Sequence, residues 1–565
     1  MNRSERRRQE SRQGKSGSAP DSFAIHNLLD QGKRHHQAGQ LAEAERNYQL
    51  ALNMSPGHPE ALHLLGLLAY RVGSFDQAIE LIRHAIDGTP NSSLYWFNLG
   101  VVTQRAGKSD DAIRAYKRAI ELNPKYVDAV INLGNVLKDL HRLDAAVETY
   151  RKALILNPTH ADTHNNLGVA LKEQNAVHDA IAAYREAIRL KPAHFEAWNN
   201  LGLALLETGA SDEAIASFEQ ALRIAPNSSK ALYNLGIAAM WKGDHAGALA
   251  RFSQVASAKH HHGGPVQETT LFRSRLKHDA EQTRLLIERG RLDASHRSYV
   301  DALERLEITL AAAYPTRNRC PVDPAALTTI APSFNQFLYR APCERLASGA
   351  LNPDLDIHAI ESRYLGHQPE VTFIDTLLKP EALSALRTFC LESTIWKKDY
   401  DNGYLGAFLG DGFATPLLLQ IAEELRQAFP GIFKDHRLTQ AWAFKQDSAR
   451  RGLSIHADAA AVNVNFWITP DEANLNPEKG GLAVYDKEAP ADWNFAAYNS
   501  EQNKPKILEW LSQAGAQTIR VPYRANRAVV FNSDLFHETD DVTFRDDYLS
   551  RRINITLLYG YRHQA

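Results

Sequence analysis

The stretch Lys125–Pro158 reads KYVDAVINLGNVLKDLHRLDAAVETYRKALILNP and contains one complete structural unit of the N-terminal region. Apolar residues recur at helical spacing in two segments, Ala129–Leu140 and Leu143–Leu156. Gly134 has no side chain, so it lets the two helices approach closely, and Pro158 stops the second helix. The stretch therefore predicts a hairpin of two helices.

The same pattern recurs along the chain at a strict period of 34 residues. Prolines keep this step at Pro56, Pro90, Pro124, Pro158, Pro192 and Pro226. Glycines keep it at Gly32, Gly66, Gly100, Gly134, Gly168, Gly202 and Gly236, and alanines at Ala44, Ala78, Ala112, Ala146, Ala180, Ala214 and Ala248. These positions resemble the tetratricopeptide pattern. The resemblance implies an all-α solenoid of seven units over residues 25–262.

One polar residue shares the same period, always two positions before the glycine. It occurs at Asn98, Asn132, Asn166, Asn200 and Asn234. Because an unpaired buried amide is costly, a core position would not favour asparagine so regularly. The Asn-x-Gly repeats are similar to the tetratricopeptide arm of O-linked N-acetylglucosamine transferases, whose asparagine ladder holds extended peptide backbone. The resemblance implies peptide binding at these residues; the alternative is that their side chains cap neighbouring turns within the array.

Composition limits the class of protein and of partner. With 565 residues the chain is too long for one core, so two or three domains are expected. A formal net charge of −2 gives no reason to expect a nucleic-acid or membrane partner. The chain contains only three cysteines and no apolar run long enough for a membrane span. The low number of cysteines favours a reducing, cytoplasmic location. The sequence does not indicate an oligomeric state.

The regions that flank the repeats differ in composition. Residues 1–24 are rich in Arg, Ser, Gln and Gly and are expected to form a disordered basic tail. Residues 263–367 are interpreted as a helical and loop-rich connector, with two amphipathic helices between Leu276 and Leu310 and a stop at Gly290.

Residues 368–565 form the last predicted domain, in which helices come first and short strands follow. The helices are expected at Pro380–Leu391 and Pro416–Phe429. Strands are expected at Val371–Asp375, Gln440–Phe444, Ala461–Trp467, Gly481–Tyr485, Thr518–Val521, Arg527–Phe531 and Ile553–Tyr559. This order favours an α+β domain with a double-stranded β-helix, or jelly roll, backed by helices.

A candidate metal site lies in this last domain. His456 and Asp458 are two residues apart, so on an extended segment their side chains point to the same face. His537, from a later strand, would supply the third ligand. Two imidazoles and one carboxylate on one face of an ion form the facial triad typical of non-haem Fe(II) oxygenases.

A candidate anion anchor lies in the last strand. Alternation places Arg552, Asn554 and Thr556 on the polar face of this strand. The two-pronged guanidinium of Arg552 could pair with a carboxylate, and Arg551, on the other face, is the second choice.

Residues 370–562 resemble the prolyl-hydroxylase-like branch of the Fe(II)/2-oxoglutarate-dependent oxygenases. The matching pieces are His456-Ala457-Asp458, Phe466-Trp467-Ile468-Thr469, Gly480-Gly481-Leu482, Arg527–His537 and Arg552-x-Asn554. Asn554 replaces the serine of the family's Arg-x-Ser pair. The resemblance implies that the domain uses Fe(II), O2 and 2-oxoglutarate. It also allows ascorbate as a further cofactor. It implies that Arg552 and Asn554 bind 2-oxoglutarate, with no catalytic residue beyond the metal ligands. The long loop Asp486–Gly515 is interpreted as a lid or a substrate-selecting insertion.

These features together predict a dioxygenase that hydroxylates a protein or peptide recruited by the repeat array. Two alternatives stay open. One is a protein-interaction scaffold with an inactive oxygenase domain, which the intact triad and Arg552 argue against. The other is an oxygenase that acts on a small molecule while the array mediates assembly.

Overall fold

The computed structural model describes residues 22–260, 268–434, 436–446, 454–490, 493 and 495–561. Residues 1–21 of the predicted basic tail lie outside the described residues, whereas the helix that begins at Ser22 overlaps the tail's last residues. The chain divides into two compact units, Met1–Ala204 and Leu205–Ala565. Within the described ranges, every helix is too short or too polar to cross a lipid bilayer.

The first unit consists of helices paired as antiparallel hairpins. These helices are Ser22–Gln37, Leu41–Met54, Pro59–Arg71, Phe75–Gly88, Ser93–Arg105, Ser109–Leu122, Val127–Asp139, Leu143–Leu156, Ala161–Glu173, Val177–Leu190 and Phe195–Glu207, the last of which spans the division. The hairpin turns need a residue with positive φ, which Gly107 supplies at 75° and His141 at 58°. The predicted all-α repeat region is confirmed.

The glycine of each repeat is required by close helix packing. A Cβ atom at Gly134 would lie 2.6 Å from the ring of Tyr150, on the second helix of the same hairpin. Tyr150 is fully buried and its hydroxyl donates a hydrogen bond to Asn135 Oδ1 at 2.7 Å, so the ring has little room to move. The first helix therefore packs against the tyrosine ring through its backbone.

We expect Gly134→Ala to destabilise the first unit. Overpacking a core typically costs about 1–3 kcal/mol, more than the roughly 1 kcal/mol that alanine gains over glycine in a helix. Thermal unfolding followed by circular dichroism should show a lower midpoint for this variant. Arg151→Ala, at an exposed position of the same hairpin, is the matched control and should unfold like the wild type. Equal midpoints for Gly134→Ala and wild type would contradict this packing account.

The second unit contains the last helices of the repeat region, the connector and the β-rich domain. Its helices are Ser211–Ile224, Ser229–Trp241, His245–His260, Arg273–Glu288, Arg297–Ala313, Pro324–Leu327, Ile357–Gly366, Pro380–Glu392, Pro416–Ala428, Pro430–Phe433, Phe495–Asn499 and Lys504–Gln513. Short 3-10 turns occur at Ala294–His296, Leu409–Asp411, Asp471–Ala473, Glu501–Asn503 and Tyr548–Ser550. The strands are β1 Thr270–Phe272, β2 Arg319–Pro321, β3 Val371–Ile374, β4 Lys398–Asp399, β5 Leu405–Phe408, β6 Leu438–Lys445, β7 Val462–Trp467, β8 Leu482–Glu488, β9 Thr518–Val521, β10 Ala528–Asn532, β11 Leu535–Thr539 and β12 Ile553–Tyr559.

The strands of the C-terminal domain pair into two antiparallel sheets. One has the order β3-β10-β7-β12-β6-β5-β4, and the other the order β11-β8-β9. The strand β12 lies between β6 and β7 and is buried along its whole length. The prediction of a β-rich C-terminal domain with antiparallel sheets is confirmed, and the observed strands include β5 and β4, which the sequence pattern did not predict.

The connector helices pack against the β-rich domain through polar contacts. On the helix Arg273–Glu288, Gln282 Nε2 donates to the carbonyl oxygens of Leu391 and Ser393 at 3.0 Å each. Gly290 follows this helix with a φ of 66°, at the predicted stop. Arg289 pairs with the buried carboxylate of Glu392 at 2.7 Å. The connector is therefore part of the same compact unit as the sheets.

The last repeat is also fixed to the β-rich domain. Trp241 Nε1 donates to the carbonyl oxygen of Leu438, the first residue of β6, at 2.7 Å. Lys259, on the last repeat helix, pairs with Asp411 at 3.0 Å. Because Asp411 belongs to the turn that directly follows β5, this helix is tied to the end of that strand.

Candidate metal centre

A backbone bridge brings the two candidate histidines together. His456 and His537 form an antiparallel pair in which each N–H donates to the other's carbonyl oxygen, at 3.0 and 2.8 Å. Such a pair places both side chains on the same face of the sheet. The two imidazole rings accordingly lie 4.4 Å apart, centroid to centroid. Asp458 N donates to Ser533 O at 3.1 Å, so the turn between β10 and β11 holds the backbone of the third residue.

The three candidate ligands converge on one point. One ligand atom from each of His456, Asp458 and His537 lies within 4.8 Å of the others. His456 Nε2 is 3.9 Å from Asp458 Oδ1, and His537 Nε2 is 3.5 Å from Asp458 Oδ2. Asp458 and His537 are buried, whereas His456 is partly open to solvent. Two nitrogens and one oxygen on one side of a point suit a divalent transition metal with open positions opposite.

The outer contacts of the histidines fix which nitrogen faces the centre. His456 Nδ1 lies 2.7 Å from Ser454 O, and His537 Nδ1 lies 3.1 Å from Leu535 O. A carbonyl oxygen only accepts, so Nδ1 of each ring carries the proton and Nε2 is the nitrogen turned toward Asp458. Metal-ligating histidines typically donate their second N–H in this way.

The carboxylate of Asp458 is held ionised. Burial by itself raises the pKa of Asp458, but while both rings carry a second proton at Nε2, the hydrogen bond from His537 and the charges of His456 and His537 lower it. The hydrogen bond from Asn463 lowers the same pKa and does not depend on the protonation of the rings. An ionised carboxylate is the form that binds a cation.

A chain of side-chain amides leads from the triad into the interior of the sheet. Asn463 Nδ2 donates to Asp458 Oδ2 at 2.7 Å, and Asn465 Nδ2 donates to Asn463 Oδ1 at 2.5 Å. Asn554 Nδ2 in turn donates to Asn465 Oδ1 at 2.9 Å. All of these residues are buried. The predicted residue Asn554 is therefore connected to the triad through hydrogen bonds, two residues along the strand from Arg552.

Arg552 is a buried cation without a carboxylate partner among the described residues. Its guanidinium donates to three neutral oxygens, Gly480 O at 2.7 Å, Gln446 Oε1 at 3.2 Å and Gly481 O at 3.3 Å. Only 1% of its surface is exposed. Burial lowers the pKa of Arg552 to about 10, so the side chain is still charged at neutral pH.

Three further polar atoms beside Arg552 are buried and have no hydrogen-bond partner in the described part of the chain. They are Gln446 Nε2, Trp467 Nε1 and Asn554 Oδ1. The ring of Trp467 lies 5.7 Å from the guanidinium carbon, and Gln446 accepts from the same guanidinium. The two donors, Gln446 Nε2 and Trp467 Nε1, and the buried cation fit an anionic ligand that has several acceptor oxygens, whereas Asn554 Oδ1 can only accept a hydrogen bond. The strand patterns did not single out Gln446, and Trp467 entered only as part of a motif.

Arg551, the second candidate anchor, lies in a different environment. It forms an ion pair with Glu281 of the connector helix Arg273–Glu288 and stacks against Tyr548, 5.8 Å from the ring centroid. The structure thus places Arg551 in a contact between the connector and the last strand. Arg552 is the arginine that lies on the same side of the strand as Asn554.

The asparagine ladder links neighbouring repeats in the first unit. Asn98 Nδ2 donates to His63 Nε2 at 2.8 Å, and Asn200 Nδ2 to Asn165 Oδ1 at 3.0 Å. Asn166 Nδ2 donates to Asn135 Oδ1 at 3.2 Å. The five ladder residues Asn98, Asn132, Asn166, Asn200 and Asn234 are all half-buried, the last of them in the second unit.

Known families match the repeat region. Tetratricopeptide repeat families match residues 35–99, 165–229 and 205–264, and a TPR repeat family matches residues 105–141 and 134–175. The N-terminal region is therefore a tetratricopeptide array. No curated protein sequence is significantly similar to the chain.

Several solved structures of repeat proteins align with part of the chain. The MamA protein is 28% identical, with 30% of this chain and 91% of that chain aligned and a TM-score of 0.28. YrrB, described as a TPR protein with an unusual peptide-binding site, is 22% identical over 32% of this chain and 92% of that chain, with a TM-score of 0.29. A tetratricopeptide repeat protein from Parabacteroides merdae is 16% identical over 42% and 93%, with a TM-score of 0.36.

We expect the purified protein to bind one equivalent of a divalent transition metal and His456→Ala to lose it. Removal of one of three ligands should weaken binding by at least about 100-fold, because even residues that only support the ligands contribute 10–100-fold. Anaerobic titration with Co(II), followed by its visible absorption, measures this directly. Binding should weaken in acid, since the ligands bind in their deprotonated forms.

The exposed His367 provides the matched control, because His367→Ala removes an imidazole far along the sequence from the triad. The control should titrate like the wild type. Retention of wild-type Co(II) affinity in His456→Ala would show that the triad is not the metal site.

Proposed function

We propose that the protein is an Fe(II)- and 2-oxoglutarate-dependent dioxygenase that hydroxylates a protein or peptide. The observation that carries the proposal is the buried Arg552, which has no carboxylate partner among the described residues. It lies two residues before Asn554, whose amide belongs to the hydrogen-bonded chain that ends on Asp458 of the triad. A buried unpaired charge costs several kcal/mol, so a structure that keeps one is suited to an anionic ligand.

The fold supports this proposal. Two antiparallel sheets are the elements that a double-stranded β-helix requires, and the histidine bridge lies at β11, the edge strand of the smaller sheet. We propose that the C-terminal domain has this jelly-roll architecture and that the triad lies at its mouth. The interior residues Asn463, Asn465 and Asn554 then extend from the mouth inward toward Arg552.

Each group has a distinct task in the proposed reaction. When bound, iron and 2-oxoglutarate split O2, so that one oxygen atom enters the substrate and the other enters succinate while CO2 leaves. His456, Asp458 and His537 would hold the metal, and Arg552 would hold the distal carboxylate of 2-oxoglutarate. Gln446 and Trp467 have the unused N–H groups that additional carboxylate contacts require. The burial of this region excludes water from the co-substrate.

We propose that the array recruits the substrate, because tetratricopeptide solenoids present extended concave binding surfaces. The half-buried amides at Asn98, Asn132, Asn166, Asn200 and Asn234 are the proposed peptide contacts. Their contacts to neighbouring repeats fix the orientation of several amides and leave part of each side chain at the surface.

We expect Arg552→Gln to lose 2-oxoglutarate binding while it retains the metal. Loss of a buried charge-assisted bidentate contact should weaken binding by about 100-fold, as roughly 3 kcal/mol corresponds to such a change. Anaerobic calorimetry with Mn(II)-loaded protein measures the affinity. Bound 2-oxoglutarate should also raise the melting temperature of the wild type but not of the variant.

The exposed Arg524 supplies the control, since Arg524→Gln removes an equivalent charge from a surface ion pair with Asp375. In parallel, wild-type protein with Fe(II), O2 and 2-oxoglutarate should release succinate without added substrate at a slow uncoupled rate. Absence of both metal and 2-oxoglutarate binding would reject the enzyme and leave a tetratricopeptide interaction scaffold.

We expect combined Asn132→Ala, Asn166→Ala and Asn200→Ala substitutions to weaken peptide capture without changing uncoupled succinate release. Peptides enriched from a displayed library on wild-type protein serve as the probe, and a loss of at least about tenfold is expected, since each lost hydrogen bond contributes about 1 kcal/mol. Circular dichroism checks that the helices remain folded. A parallel decline of capture and uncoupled turnover would contradict separate roles for array and oxygenase domain.

A further inference from the structure

A small pocket lies directly beside the triad and shows what kind of group can approach the metal. Its volume is about 290 Å³. Its lining includes His456 and Asp458 of the triad and the aromatic residues Tyr400, Tyr404, Phe408, Trp442 and Phe444. This volume is at the lower limit of pockets for drug-sized molecules, which span roughly 300–1,000 Å³. The pocket therefore suits a single side chain and its immediate surroundings.

Aromatic rings build one wall of this pocket. Phe444 stands at the centre, and Tyr400, Tyr404 and Phe408 meet its ring at steep angles of 88°, 77° and 83°. The centroid distances are 5.6, 5.1 and 6.3 Å, within the range of favourable edge-to-face contacts. The wall is thus a preformed apolar surface that needs no rearrangement to receive a guest.

Strand pairing explains how the rings are placed. Trp442 and Phe444 lie on the same face of β6, opposite Phe408 and Gly406 of β5. A Cβ at Gly406 would lie 3.0 Å from Phe408 and 3.2 Å from Phe444, so the glycine leaves room for both rings. In the pairing of β6 with β12, Phe444 is opposite Asn554 and Trp442 opposite Thr556. The aromatic wall therefore shares the interior face with the amide chain that leads to Asp458.

The charge of the residues that line the pocket argues against a charged substrate side chain. Among the described lining residues, the only carboxylate is that of Asp458, a proposed metal ligand, and there is no lysine or arginine. One pair of rings, Tyr400 and Tyr404, is stacked, with centroids 4.3 Å apart and an interplanar angle of 18°. A buried ion without a partner is strongly disfavoured, whereas an aliphatic group gains from burial.

We propose that the residue presented to the metal centre has an uncharged aliphatic side chain, which packs against Phe444, Trp442 and Tyr404 and is chosen by this wall over acidic and basic residues. The proposal rests on the proposed function, because it assigns the substrate class of the same site. It also places substrate selection in β5 and β6, separate from the metal ligands and from Arg552.

The test uses blocked peptides of the form acetyl-Gly-Xaa-Gly-amide, where Xaa is varied over the standard residues. Binding is measured by saturation-transfer NMR on full-length protein loaded with Mn(II) and 2-oxoglutarate under anaerobic conditions. Peptides with Leu, Ile, Val or Pro should bind at least about tenfold more tightly than those with Asp, Glu, Lys or Arg, the ratio expected when one side chain is buried.

The variant Trp442→Glu tests whether the aromatic wall sets the preference, because it adds a negative charge at a partly exposed position of this wall. This variant should lose preference for aliphatic residues and gain affinity for Lys and Arg peptides by about tenfold, as expected for a new ion pair within a pocket. Phe373→Glu is the matched control, since Phe373 is 46% exposed on β3 and is absent from the pocket lining. The control should keep the wild-type profile.

The outcomes separate this inference from the proposed function. Loss of Mn(II) or 2-oxoglutarate binding in the wild type would overturn the proposed function itself. The wild type could instead bind Mn(II) and 2-oxoglutarate but show equal affinity for all peptides, or the highest affinity for a peptide with a charged residue. Either result would overturn only the aliphatic assignment. A maximum at lysine in the wild type would show that the rings bind a cation instead.

Discussion

Two backbone hydrogen bonds between His456 and His537 hold the candidate metal centre together. They join two segments that lie 81 residues apart in the chain, as the residue numbers show, and they fix both imidazoles on one face. Because the backbone supplies this geometry, the side chains need only their carbonyl contacts at Nδ1 to be oriented. The two histidines are therefore preorganised by backbone pairing, and Asp458 is held by a separate backbone hydrogen bond to Ser533 in the turn between β10 and β11.

The core of the β-rich domain is unusual because it contains a row of polar side chains. Asn465 donates to Asn463 and accepts from Asn554, and this chain of amides leads toward a guanidinium that lacks a carboxylate partner among the described residues. A network of this kind is costly unless nearly every group is paired. Two buried donors without a partner among the described residues, Gln446 Nε2 and Trp467 Nε1, lie near Arg552, and together with its charge they suit an anion.

Much of this architecture follows from local patterns in the sequence. The period of 34 residues predicts the hairpins, since each repeat carries its own packing glycine and stop. Most of the predicted strands lie within a few residues of the observed ones, because their apolar runs are long and bounded by turns. The strand β5 was missed because Leu405-Gly406-Ala407-Phe408 is short and has no polar alternation. The pocket wall was missed for a related reason: its rings come from a loop and two strands, and only tertiary pairing brings them to the triad.

The contacts of Trp241 with Leu438 and of Lys259 with Asp411 have a consequence for how such a protein can change through duplication and recombination. Repeat arrays commonly gain or lose whole units, because each unit packs only on its neighbours. Here the final unit also carries the side chains that contact the seven-stranded sheet, so it cannot be exchanged for an ordinary repeat without loss of those contacts. Growth or shortening of the array is therefore confined to the units that precede it, and the final repeat must be inherited together with the sheet.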